Sequence, residues 1–399
     1  MKMKKPELMC PIRDWASLEA CKEFADAVYF GTAELSMRAN TGSIKISDLP
    51  KFVEKCHTYG IKAYLTVNSV LYNENLKKAE QLIKKAKASQ ADAVILWDPA
   101  AIEIAGKEKI PFIISTQANV SNWQSAEFYR KSGAKRVVLA RELNLNQIKE
   151  IKKKTKIEIE TFVHGAMCMA ISGRCHLSAF MYDKSANCGD CGQPCRKQWT
   201  LIDDEENKII SEGKFFLSAK DLCMIEFIPE LIKAGIDSFK IEGRRRDPRY
   251  VQTTARCYRE AIDAHFAGTF TEEKVRAWKK DLNEVYNRGF STGFYFGEPK
   301  KQGIGFDKAD NLSPTKKIFA GIVTKYYPKI SVASVKLTAK PLKINDEISI
   351  EGTKNFCRQT VESMEIENKS VQRARRGDEI AIKVKSKVRA KDNLFIIKP

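Results

Sequence analysis

The chain has 399 residues, 43% of them hydrophobic, which is enough for one large domain with a full core and a smaller second one. Lys and Arg number 69 against 50 Asp and Glu, a formal charge of +19, so a polyanionic partner is expected, nucleic acid first. No run of about 18 apolar residues exists, and the basic N-terminus MKMKKPELMCPIRDW lacks the apolar stretch of a signal peptide, so a cytoplasmic protein without a membrane span is expected.

Eight short β-branched runs follow in chain order: PELMCPI (6–12), ADAVYFG (25–31), KAYLTVN (62–68), ADAVILWD (91–98), PFIISTQ (111–117), RVVLARE (136–142), IEIETFVHG (157–165) and IDSFKIEGR (236–244). Between them lie amphipathic helical patterns such as LPKFVEKCHTYG and AEQLIKKAKASQ. Strands alternating with helices predict an α/β fold with a parallel sheet, and eight such units predict a closed (β/α)8, TIM-like barrel. An open doubly wound sheet is the alternative. The rhythm breaks once, between the seventh run and the eighth, where 70 residues intervene. A cysteine-rich insertion is therefore expected after strand 7, at the barrel end where chemistry is placed.

After the eighth run come RRRDPR and two helical segments, then a stretch rich in Gly, Pro and aromatics. FAGIVTKYY, SVASVKLT, DEISIEG, DEIAIKVK and NLFIIKP then read as short strands of a small antiparallel β-barrel. The expected division is a barrel domain over 1–290 with its insertion at 164–215, a linker over 291–316 and the C-terminal unit over 317–399.

Five of the eleven cysteines fall between His164 and Trp199. In a reducing compartment disulfides are disfavoured. Cys168 and Cys175 have six residues between them, fifteen more precede Cys191, three precede Cys195, and two residues separate Cys188 from Cys191. Zinc sites usually show two tight pairs. Iron–sulfur ligation tolerates wide spacing, and small neighbours such as Gly165, Gly173, Gly189 and Gly192 let backbone approach sulfur. These residues leave a cluster, zinc or plain packing open.

The stretch ETFVHGAMCMAISGRCHLS resembles the signature of the collagenase-like peptidase family U32, met at Glu160, Phe162, Gly165, Cys168, Gly173, Cys175 and Ser178. SANCGDCGQPCR, SAKDLC and KIEGRRR extend the resemblance, which covers residues 6 to about 300. It implies a relationship to proteins of oxygen-independent hydroxylation, acting on tRNA wobble uridine, on a cytidine of large-subunit rRNA or on the ubiquinone ring. It further implies a [4Fe-4S] cluster on Cys168, Cys175, Cys191 and Cys195. Cys188 departs from the pattern, and Cys223 is a reserve ligand. Hydroxylation of an RNA base, with tRNA favoured, is the expected function. The alternatives are a peptidase, as the family name has it, and a zinc-stabilised RNA-binding protein.

The strand ends offer Asn68, Asp98, Gln117, Asn119, Arg141, Glu142, His164, Glu242, Arg244 and Arg245. The resemblance implies a small anionic cosubstrate such as prephenate, which would need guanidinium forks, and Arg141, Arg244 and Arg245 are placed to supply them. Glu142 and Glu242 are candidate proton-transfer groups or partners of those arginines. Tyr29 and Trp97 are candidates to stack on a base. For proteolysis the best pair is Cys168 with His164, since no G-x-S-x-G or H-E-x-x-H motif exists. The quinone-hydroxylating relatives work as a pair, so a homo- or hetero-oligomer is left open.

Overall fold

The computed structural model describes residues 4–37, 44–202, 204, 205, 208, 209, 215–305 and 311–398. Eight parallel strands form its centre: β1 (Glu7–Pro11), β2 (Ala27–Gly31), β3 (Lys62–Thr66), β4 (Ala93–Leu96), β5 (Phe112–Ile114), β6 (Arg136–Val138), β7 (Glu158–Gly165) and β8 (Ser238–Ile241). Each expected run contains its strand. β8 pairs with both β7 and β1, so the sheet closes and the open-sheet alternative falls.

Six helices connect the first seven strands: α1 (Trp15–Cys21), α2 (Leu49–Thr58), α3 (Leu76–Ala88), α4 (Pro99–Lys107), α5 (Trp123–Lys131) and α6 (Leu145–Lys154). Their buried faces follow the helical period. Leu49, Phe52, Val53 and Cys56 do so in α2, and Ala79, Leu82, Ile83 and Ala86 in α3. Side-chain caps set several starts, as Asp14 does for α1 and Asn144 with Gln147 for α6.

Between β7 and β8 lies the insertion, with the short α7 (Leu177–Tyr182). It returns through a strand that hydrophobic pattern does not announce, Asp221–Cys223. This strand runs antiparallel to the end of β7, with Leu222 opposite Gly165. Then α8 (Ile228–Lys233) leads into β8, and α9 (Pro248–Phe266) and α10 (Glu272–Asn283) complete the helical layer.

Residues from Lys316 onward build an eight-stranded sheet in which every pairing is antiparallel. It has its own core, with Val323, Val335, Ile348, Ile380 and Ile396 among its members. It docks on the outer helices: Phe356 packs on Ala16 and Ala20, Arg358 bonds Thr253 at 3.2 Å, and Lys317 reaches Asp247 at 3.4 Å. The strand Phe356–Thr360 was not anticipated, because FCRQT is half polar.

The barrel interior is charged as well as apolar. Arg136, 4% exposed, meets Glu7 at 2.6 Å, Glu158 at 2.8 Å and Glu160 at 3.0 Å. The other oxygen of Glu160 takes Lys240 at 2.9 Å. Burial alone would raise the Glu7 carboxyl, but Arg136 and Lys62 outweigh it and hold Glu7 below its ordinary range. Removing one partner of such a set strands the others in low dielectric. Arg136→Met is expected to cost about 3–5 kcal/mol in urea unfolding. A loss below about 1 kcal/mol would show that the buried set is dispensable.

Candidate functional site

The C-terminal ends of the strands open into a cavity walled by Tyr29, Thr66, Asn68, Gln117, Arg141, Phe162, Cys168, Lys240, Glu242 and Arg244, among others. Tyr29 sits in β2 and its hydroxyl donates to the Ile241 carbonyl at 2.9 Å. Asn68 donates to Ser115 at 3.2 Å and accepts from the Met37 amide at 3.0 Å. Arg244 is 7% exposed, and its guanidinium donates to Ser36 at 2.8 Å, to Thr66 at 2.9 Å and to the Met37 carbonyl. It forms a wall and also fixes the chain after β2.

The Arg141 guanidinium carbon lies over the Phe162 ring, 3.7 Å from its centroid, and the group donates to the Ala166 carbonyl at 2.7 Å. Among the described residues its buried Nε has no partner. Lys240, which sequence reasoning did not single out, stands at the floor. Its ammonium is 4.2 Å from the Tyr29 centroid and bonds Glu160. Burial lowers the affinity of Lys240 for its proton, and Glu160 opposes that. The signal was present: a lysine in the middle of SFKI, on a strand with four buried residues.

Other expected residues lie elsewhere. Glu142 is exposed and does not wall the cavity. Asp98 caps α4, and Asn119 takes a left-handed turn after β5. Trp97 donates to the Asn68 carbonyl at 3.1 Å and lies under Arg174. Arg245 donates to the Cys191 carbonyl at 3.0 Å, so it holds the insertion.

His164 does not face the cavity. β7 advances two residues, Phe162 to His164, while β8 advances one, Lys240 to Ile241. This bulge reverses the side-chain alternation and turns the ring outward. It sits among Tyr250, Tyr258 and Phe290, with Nδ1 3.3 Å from the Tyr258 hydroxyl. Burial holds it neutral, with its pKa lowered to about 3. The expected Cys168–His164 pair is therefore not assembled. Among the described residues no histidine walls this cavity or the next one.

The insertion encloses a second cavity of about 240 Å³. Cys168, Cys175, Cys191 and Cys195 all border it; Cys188 and Cys223 do not. Cys188 turns toward Tyr72, and Cys223 is buried beside Tyr258. Among the described residues no three His, Cys, Asp or Glu side chains converge as ligands of a single metal ion would. The four thiols ring a space instead. Backbone N–H groups serve this loop: Gln193 donates to the Cys191 sulfur at 3.4 Å. The Cys175 amide donates to Asn187 at 3.0 Å. Burial raises the Cys195 thiol pKa, Arg196 opposes this, and Cys168, Cys191 and Cys175 add to the rise.

The two cavities share Met37, Cys168 and Gly173. Two glycines permit this close assembly. Gly165 has φ +103° and a side chain there would meet the Glu242 carbonyl at 2.3 Å. Gly173 has φ +77° and would strike Gln117 at 2.6 Å.

Residues 14–305 match peptidase family U32, and the chain belongs to that family. It is 43% identical to the "Uncharacterized protease MJ0090" of Methanocaldococcus jannaschii, with 98% of each chain covered. It is 39% identical to a "Collagenase" of Porphyromonas gingivalis, over 98% of this chain and 97% of that one. It is 37% identical to the "tRNA hydroxylation protein P1" of Bacillus subtilis, over 81% of this chain and 78% of that one. Among the described residues no helix is long and apolar enough to cross a membrane.

The outward placement of His164 has a measurable consequence. Below pH 6.5 the unfolded chain takes up a proton that folded His164 refuses until about pH 3. Its contribution is complete above 6.5 and is lost as pH falls through that window. Relative to His164→Phe, wild-type stability is expected to drop by about 1.4 kcal/mol per pH unit there. Denaturant titrations at stepped pH would give parallel curves if the ring were solvated.

Proposed function

We propose that this protein is an iron–sulfur enzyme that hydroxylates an RNA base without molecular oxygen, with tRNA wobble uridine as the favoured target. In this reading Cys168, Cys175, Cys191 and Cys195 hold one [4Fe-4S] cluster, which supplies one-electron chemistry when bound. The observation that carries it is the position of Cys168, which walls both the cysteine cavity and the barrel mouth. The donor set fits the group: four thiols around a space, rather than around a point, with a backbone amide directed at sulfur. A single zinc ion would need tighter convergence.

The barrel mouth is the proposed seat of a small organic anion, prephenate or a relative of it. Among the described residues Arg141 has a buried Nε without a partner, and Lys240 and Arg244 add positive charge from the floor and wall. The rings of Tyr29 and Phe162 supply flat apolar surface. Glu242 is the cavity's carboxylate and the candidate to accept a proton. RNA is favoured by the charge. Residues 316–399 alone carry 19 Lys and Arg against nine Asp and Glu. A similarity to a protein named for tRNA hydroxylation points the same way. The reading implies a cytoplasmic protein. Peptide hydrolysis is less well served, since neither cavity has a histidine among the described residues.

The test is anaerobic purification of wild type and five Cys→Ala variants, with iron and acid-labile sulfide counted and tRNA nucleosides measured by mass. Cys168, Cys175, Cys191 and Cys195 variants should each lose most iron and all modification, while Cys188→Ala keeps both. Stoichiometric zinc in the wild type, or iron lost from Cys188→Ala and kept in Cys191→Ala, overturns the assignment. Arg141→Ala is expected to retain iron and sulfide but to lower modification at least tenfold. Unchanged modification would remove Arg141 from the anion site.

A further inference from the structure

Arg196 follows Cys195 directly and borders the cysteine cavity, yet only 8% of it is exposed. Its guanidinium donates to Ser218 Oγ at 3.1 Å and to the Ala219 and Met167 carbonyls. All three acceptors are neutral, and among the described residues Arg196 makes no ion pair. The nearby buried carboxylate, Asp221, is 2% exposed and lies 3.5 Å from Arg288, itself 4% exposed. Asp221 lies within electrostatic reach of Arg288, Arg246, Arg196 and Glu242, and burial of Arg196 and its repulsion by Arg288 both weigh against its charge. A fixed, buried positive charge beside a ring of four thiols has a defined effect. It stabilises whichever state of the enclosed group carries more negative charge.

We propose that Arg196 sets the reduction potential of the group held by the four cysteines, raising it so that the reduced state is accessible. This rests on the cluster reading above. Reduction adds one electron, and hence one negative charge, to an assembly already made anionic by four thiolates. A cation that is bonded only to neutral groups is free to offset that charge. The guanidinium also clamps Met167, the residue before Cys168, to the segment entering the strand Asp221–Cys223. A clamp alone would affect loading of the cluster but not its potential, so potential is the quantity to read.

The experiment uses the full chain purified without oxygen as wild type, Arg196→Gln, Arg196→Lys and Asp221→Asn. Iron and sulfide are counted, and the reduced fraction is read by electron paramagnetic resonance against redox dyes. At the wild-type midpoint Arg196→Gln should show at least a tenfold lower ratio of reduced to oxidised protein, equivalent to about 59 mV for one electron. Arg196→Lys, which keeps the charge, should stay within threefold of wild type. Asp221→Asn, which removes the opposing charge, should shift the ratio the other way. A loaded Arg196→Gln protein with an unchanged ratio overturns the proposal. If neither Arg196 variant loads, an unshifted or unloaded Asp221→Asn protein assigns Arg196 to the clamp alone and overturns it equally. Wild type without iron and sulfide would instead defeat the cluster reading, and this inference with it.

Discussion

Arg136 lies inside the barrel with its guanidinium against carboxylates from β1 and β7, and Glu160 passes the connection on to Lys240 of β8. Four strands are thereby tied through side chains at the seam where the chain is least continuous, since the insertion separates β7 from β8. The two strands must find each other across a long loop, whose closure entropy opposes their pairing. A paired set of buried charges does not add much net stability over apolar packing, but it strongly penalises wrong pairings. A β7 or β8 shifted by one residue would put Glu160 or Lys240 among the apolar helices without a partner. The same Lys240 then forms the floor of the mouth cavity, so the group that closes the barrel also gives the site its charge.

The strands were legible because each is short, apolar and bounded by turn residues, and helix faces repeat at the helical period. The place of the insertion was legible from spacing alone. Alternation was where reading failed. Along IEIETFVHG, Glu160, Phe162 and His164 share one parity, so His164 should face the interior with the other two. The bulge opposite Lys240 and Ile241 breaks that parity, and no local signal marks it, because the extra residue is Val163, an ordinary strand former. Lys240 and Arg196 were passed over for the opposite reason. Each sits next to a more conspicuous feature, a barrel strand and a cysteine, and only burial reveals that its charge is confined.

The insertion has little core of its own. Its loop contributes few buried apolar residues, Ala166, Met167 and Ala186 among them, and its only α-helix among the described residues is the six-residue α7. Segments of this kind leave carbonyls that no helix or sheet satisfies. Arginine, with five donors on a rigid plane, is suited to that shortage. Arg141 takes the Ala166 carbonyl, Arg196 takes Met167 and Ala219, Arg245 takes Cys191, and Arg174 takes Gln117 at 3.3 Å. Two of the four, Arg141 and Arg245, come from strand ends of the barrel, so the barrel dictates where the cysteine loops sit.

A consequence follows for electrostatics. Lysine or a neutral amide would satisfy fewer carbonyls, so guanidiniums accumulate around the cysteines for reasons of hydrogen bonding alone. Their charge comes with them and cannot be removed by titration. Four thiols gathered round one space repel once ionised, and at Cys195 the neighbouring Cys168, Cys191 and Cys175 add to the upward push of burial. The arginines that hold the backbone are therefore the groups that make an anionic ring tolerable, and local folding and the chemistry available to the site draw on the same side chains.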